Sequence, residues 1–353
     1  MKKQALIAGV TGIVGGHLAE HLLERSDFDV AGLSRHTAGL RPGVRGIAAD
    51  LTDADGLKRA LESAQPTHVY ITTWSRQATE TENCRVNGAM VRNLLDAVRG
   101  NGVKHVALVT GTKHYLGPFE AYGKSKPETP YREEQPRLPY ENFYYVQEDI
   151  MFEAAARDGF SWSVHRPHTL IGYAVGNVMN MASTLAAYAA IARATGRPFV
   201  FPGSPQQFEA ATDVTDGRIL ARHLAWASTT PEAANQAFNV TNGEIFRWRW
   251  LWPCLAAYFG LEAAPYPGHA QPLETMLADA GPVWEQIVAA NGLRDNPLKR
   301  VASWWHTDAD LGREVETFND MTKSRKLGFL DYQDTVASFT DAFDRLRHDR
   351  IVP

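Results

Sequence analysis

Along the first third of the chain, two hydrophobic spacings alternate. KQALIAGV, FDVAGLSR, GIAADLTD, THVYITTW and KHVALVTG are short, nearly continuous apolar runs that end in glycine, threonine or charged residues. Such runs suit strands buried on both faces. Between them lie segments with helical spacing: GGHLAEHLLERS, through Leu18, Leu22 and Leu23, then DADGLKRALESA and the glycine-closed VNGAMVRNLLDAVRGNG. Strands alternating with helices of this length predict an α/β fold, a Rossmann-type doubly wound parallel sheet.

The rhythm stops over 116–141, where five prolines and many charges read as an irregular surface loop. Order resumes with a helix near 143–157, closed by Gly159, and a strand over 161–172. Looser helical patterns follow near 178–195, 216–228, 248–259 and 270–290, while AFNV at 237–240 reads as a strand returning to the main sheet. The expected organisation is a dinucleotide-binding domain over 1–172 and a smaller, mainly helical substrate-covering part over 173–353, interleaved through that strand.

Composition narrows the function classes. Of 353 residues, 44% are hydrophobic and 22% charged, and the formal net charge of −4 makes no electrostatic case for nucleic acid. Two distant cysteines, Cys84 and Cys254, exclude a disulfide framework and a cysteine-rich zinc site, and suit a reducing cytoplasm. No metal is expected, because the histidines lack ligand spacing. MKKQALIAGVTGIVGG reads as a βα unit rather than a signal peptide. The apolar stretch at 178–194 is interrupted by polar residues and short of a span, so a buried helix is expected and no membrane partner. A homodimer is left open.

Gly9-Val-Thr11-Gly12-Ile13-Val14-Gly15 follows the first strand and opens the first helix. Glycines there tighten the turn and let the backbone approach a pyrophosphate, whose charge the helix N-terminus favours. The second strand ends in Ser34-Arg35-His36. A hydroxyl, a guanidinium and an imidazole suit a 2′-phosphate better than a free ribose, so NADPH is the expected cofactor. Asp50 and Leu51 are read as the adenine edge. Thr72, Thr73 and Trp74 end the fourth strand, and Thr110 and Gly111 the fifth, where α/β sheets bind ligands.

Two tyrosine segments compete for the reaction centre. Tyr122-Gly-Lys-Ser-Lys126 has the Tyr-x-x-x-Lys spacing of short-chain dehydrogenases, which needs a helix to bring both side chains to one face. Pro127 directly afterwards disfavours that helix, and a loop is expected. Tyr145 heads a true helical pattern, but its neighbour four residues on is Asp149, which would raise a tyrosine's pKa. Lys113, just beyond the fifth strand, is the candidate cation.

TGTKHYLGPFE, RLPYENFYYVQEDIMFE and SWSVHRPHTLIG resemble signatures of the progesterone 5β-reductase/iridoid synthase family, atypical extended short-chain dehydrogenases that reduce the carbon–carbon double bond of enones. The resemblance continues through AFNVTNGEIFRWRWLWP and NDMTKSRKLGFLDY. It implies that Lys113 is the catalytic lysine, and that Tyr145, the second tyrosine of the family's N-F-Y-Y-x-x-E-D motif, is the catalytic one, with Tyr144 packing in the core. Phe119, Trp74 and His168 are placed on the substrate, and Pro167, Leu170 and Ile171 beside the nicotinamide. Thr112 stands where plant members carry arginine, and His168 where they carry glycine. On this resemblance a hydride from NADPH reaches the β-carbon of a small-molecule enone while Tyr145 stabilises the enolate oxygen. Carbonyl reduction or sugar-nucleotide epimerisation on the same fold, and a non-catalytic NADP-sensing regulator, are the competing readings.

Overall fold

In the computed structural model, which describes residues 2–118, 127–176, 179–294 and 296–353, the chain begins β1 (Lys3–Ala8), α1 (Ile13–Glu24), β2 (Phe28–Ser34), β3 (Arg45–Ala48), α2 (Ala54–Leu61), β4 (His68–Ile71), α3 (Glu80–Ala97) and β5 (His105–Val109). A single helical turn, α4 (Lys113–Leu116), precedes α5 (Phe143–Asp158), β6 (Ser161–Pro167) and the two-residue β7 (Leu170–Ile171). Then come α6 (Met181–Thr195), α7 (Pro205–Glu209), β8 (Thr215–Asp216), α8 (Gly217–Ala227), β9 (Gln236–Val240) and α9 (Trp248–Tyr258). The chain closes with α10 (Leu273–Met276), α11 (Ala280–Asn291), α12 (Leu298–Val301), α13 (Trp304–Leu311), α14 (Thr322–Lys326) and α15 (Thr335–His348).

Seven parallel strands form one sheet in the order β3-β2-β1-β4-β5-β6-β9. The order reverses between β1 and β4, which opens a crevice at the carboxyl ends of the strands. Burial on both faces accounts for the apolar runs: Leu6 packs beneath α2, α3 and α5, while Ile7 faces α1 and α8. A third core gathers α6, α9, α11 and α15 around Trp252, Trp284, Phe339 and Phe343. Met181 through Ala192 on α6 are all buried, so its apolar circumference is that of a central helix. Among the described residues no helix is long and apolar enough to cross a membrane.

Several boundaries differ from expectation. The strand predicted over 161–172 breaks after Pro167, because the His168 N–H is drawn off to the Thr215 hydroxyl and Leu170–Ile171 pairs with β8 in a separate small sheet. The helix predicted over 270–290 is two, α10 and α11. Helix α3 starts at Glu80, capped by the Thr79 hydroxyl, ahead of its apolar stripe. The proline-rich loop is not wholly superficial, since Tyr131 is fully buried and stacks on Tyr115 at 4.8 Å.

Candidate active site

The crevice encloses about 450 Å³ and is lined at one end by Gly9, Thr11, Gly12, Ile13 and Val14. Gly9 has φ +91°, and a Cβ there would fall 2.6 Å from the Thr73 Cβ. A Cβ on Gly15 would lie 2.3 Å from the Gly9 carbonyl oxygen, so Gly15 lets α1 close against the turn without itself lining the crevice. Gly12 caps α1 without a side chain, leaving the amides of the first turn directed at the opening. This cradle fits a dinucleotide.

At the second strand, Arg35 lines the crevice. The Ser34 hydroxyl donates to the His36 carbonyl at 2.7 Å, and Asp50 accepts from the Thr52 N–H and hydroxyl, which lower its pKa. Leu51 points into the core beneath the sheet, so its side chain does not form the adenine edge. On the fourth strand Thr72, Thr73 and Trp74 all line the crevice; Trp74 also stacks on Phe143 at 5.1 Å.

At the other end the crevice meets Thr110, Thr112 and Lys113. Lys113 sits on α4, its ammonium 3.0 Å from a Glu80 carboxylate oxygen, with both side chains largely buried. The other Glu80 oxygen accepts the Phe143 N–H at 2.9 Å, and Asn142 caps α5 while its amide donates to the Lys113 carbonyl. Glu80 and Asn142 therefore lock the start of α5 against α4. Asn142 belongs to the N-F-Y-Y motif, but Glu80 did not stand out in the sequence, since it lies in a polar stretch ahead of the apolar stripe of α3. Asn87, within α3, holds the loop after β4 through the Ser75 N–H and carbonyl.

The two adjacent tyrosines part company. Tyr144 lines the crevice, and a side chain on Gly111 would meet its hydroxyl at 3.1 Å and the Pro167 carbonyl at 3.3 Å. Tyr145 lies away from the crevice: its hydroxyl donates to the His114 carbonyl at 2.6 Å and accepts the Leu138 N–H at 3.0 Å. Burial raises both phenols, and for Tyr144 the Glu80 and Asp310 carboxylates add to it. The packing role expected for Tyr144 belongs to Tyr145. Phe119, together with Tyr122 and Lys126, lies outside the described residues.

Past β6, His168, Thr169 and Leu170 line the crevice, while Ile171 is buried in the helical core and Pro167 lends its carbonyl to the Thr112 N–H. The facing wall is supplied by α13 and the segment just after its end: His306, Asp310 and Arg313. Asp310 accepts from the Thr169 hydroxyl at 3.1 Å. Against burial, Arg313, His306 and His168 hold its carboxyl below the usual range. Nothing in the spacing of the sequence ties α13, more than 130 residues on, to β6.

Sheet order, glycine cradle and crevice together define a nicotinamide-dinucleotide-binding fold of the short-chain dehydrogenase class. Residues 5–241 match the NAD dependent epimerase/dehydratase family, and the chain belongs to that family. It is 40% identical over 99% of its length to (S)-8-oxocitronellyl enol synthase CYC2 of Camptotheca acuminata, covering 93% of that protein. To the 3-oxo-Delta(4,5)-steroid 5-beta-reductase of Arabidopsis thaliana it is 39% identical, with 99% and 93% of the two chains covered. Among solved structures, the UDP-glucose 4-epimerase of Thermotoga maritima shares the fold with a TM-score of 0.67 at 15% identity, over 98% of this chain and 99% of that one.

Proposed function

We propose that this protein is an oxidoreductase catalysing NADPH-dependent 1,4-reduction of the carbon–carbon double bond of α,β-unsaturated carbonyl compounds. The glycine turn would hold the pyrophosphate, and Arg35 the 2′-phosphate that distinguishes NADPH from NADH. Bound NADPH supplies a hydride for the substrate's β-carbon. The chain's own task is then to stabilise the charge that develops on the carbonyl oxygen.

The observation that carries this reading is the state of Tyr144. Direct reduction of a carbonyl needs a tyrosine that surrenders its proton readily. Burial, Glu80 and Asp310 instead raise the Tyr144 phenol above its ordinary value, so it gives up its proton less readily. Such a hydroxyl serves as a hydrogen-bond donor to an enolate oxygen, which needs stabilisation more than protonation. Lys113, anchored by Glu80, adds positive charge to the same wall, and Thr112 extends it. The relatives named above, a 3-oxo-Delta(4,5)-steroid 5-beta-reductase among them, support the same class of reaction.

The test is NADPH oxidation with a simple cyclic enone against the corresponding saturated ketone. Consumption with the enone alone is expected, with NADH a poorer donor. Equal turnover of the saturated ketone, or NADPH binding with no turnover of any enone, would sink the reading.

A further inference from the structure

One group facing the crevice is left without a task by that chemistry. His168 is buried, and its Nδ1–H donates to Asp213 at 2.7 Å. Asp213 also accepts the Asn319 N–H at 2.8 Å and the Asn319 side-chain amide, so it meets the ring as an acceptor. Nδ1–H is thereby committed to Asp213, and Nε2 is the atom left to act. Nε2 is buried and meets no hydrogen-bonding partner among the described residues, although the ring lines the crevice. A buried polar atom left unpaired costs about 1–3 kcal/mol, so its retention calls for a reason.

We propose that His168, oriented by Asp213, is the acid that protonates the α-carbon of the enolate. The inference rests on the enone-reduction reading. Hydride addition to the β-carbon moves an electron pair onto the α-carbon and carbonyl oxygen. The α-carbon–hydrogen bond then forms as the Nε2–H bond of the imidazolium breaks. The enolate becomes the saturated carbonyl compound, and solvent returns a proton to the ring. The Asp213 carboxyl group is hydrogen-bonded to the imidazole, Asp310 interacts with it electrostatically, and His306 and Arg313 line the same crevice. Tyr144 and His168 line the same crevice, and a side chain on Gly111 would meet both the Tyr144 hydroxyl and the carbonyl of Pro167, one residue before His168.

The experiment uses 2-methylcyclohex-2-enone, whose α-carbon becomes a stereocentre on reduction. With NADPH, the wild-type protein is expected to give predominantly one α-configuration. His168→Asn, whose amide nitrogen falls near the place of Nδ1 and can still donate to Asp213, and His168→Gly should lose that preference. Their turnover should fall roughly 10²–10⁴-fold, the usual worth of a general acid. NADPH affinity, read by fluorescence titration, should be unchanged and verifies that the variants fold. A product already racemic at the α-carbon in the wild type, or an unchanged α-configuration in folded variants however slow, overturns the assignment to His168 alone. Failure of the wild type to reduce any enone overturns the enone reading and this one with it.

Discussion

Tyr144 and Tyr145 are neighbours on one helix and so point about 100° apart. Tyr144→Phe removes only the hydroxyl that faces the crevice, and enone turnover should fall about 10²–10³-fold with the melting temperature nearly unchanged. Tyr145→Phe strands the Leu138 N–H and the His114 carbonyl. It should cost about 1–3 kcal/mol in urea denaturation while turnover of the folded enzyme survives. The opposite pattern would return the chemistry to Tyr145. Arg35→Ala should weaken NADPH binding at least tenfold and leave NADH binding almost untouched, as measured by titration of each coenzyme. Equal losses for both would remove the 2′-phosphate assignment.

The elements around the site are joined by polar contacts as much as by apolar packing. Helices α3, α4 and α5 meet at Glu80, whose carboxylate serves Lys113, the Phe143 N–H and the Asn83 amide. Glu80→Gln keeps the shape but withdraws the negative charge from the buried Lys113. The expected loss is about 1.5–3 kcal/mol of unfolding free energy by denaturant titration, that of a hydrogen bond to a charged group. Turnover should drop as well, because α4 and the first turn of α5 are no longer held in register. Unchanged stability would mean that Glu80 does not join the three helices. On the opposite face of the sheet α1 lies against α8, so residues beyond 172 cover part of the dinucleotide-binding half.

Across the protein, the interior is unusually rich in histidine. A hydrogen-bonded line runs from Ser161 through His105, Ser163, His165 and His223 to Ser324, linking β5, β6, α8 and α14. His165 and His223 face each other through Nδ1 atoms 3.0 Å apart, an arrangement that accommodates one proton between them. Burial lowers His105, His114 and His223 to about 3 and His68 to about 4. Because these folded values lie below the unfolded one of about 6.5, the unfolded chain binds more protons in acid. Their contribution is complete above about pH 6.5 and is lost as pH falls towards 3–4. Each of them should give up as much as about 2 kcal/mol between pH 6.5 and pH 5. Urea midpoints measured across that interval should therefore fall steeply, before most carboxylates titrate. A flat profile would contradict the burial of neutral imidazoles.

The alternation of strands and helices, the glycine turn and the return of residues 237–240 to the sheet follow from local signals: apolar runs, helical spacing and glycines where a side chain would collide. The position of Lys113 beyond β5 was legible for the same reason, since a strand end has a place in such a sheet. Which of two adjacent tyrosines faces the crevice was not, because helical phase is set by what α5 packs against, here the His114 carbonyl and the loop at Leu138. Glu80, Asp213 and Asp310 were equally hidden. Their partners Lys113, His168 and Thr169 lie 33, 45 and 141 residues away. Sequence by itself thus determined the sheet and the cofactor cradle, whose causes act over a few residues. The reaction end of the crevice was decided only by tertiary packing, which joins charges that no local pattern pairs.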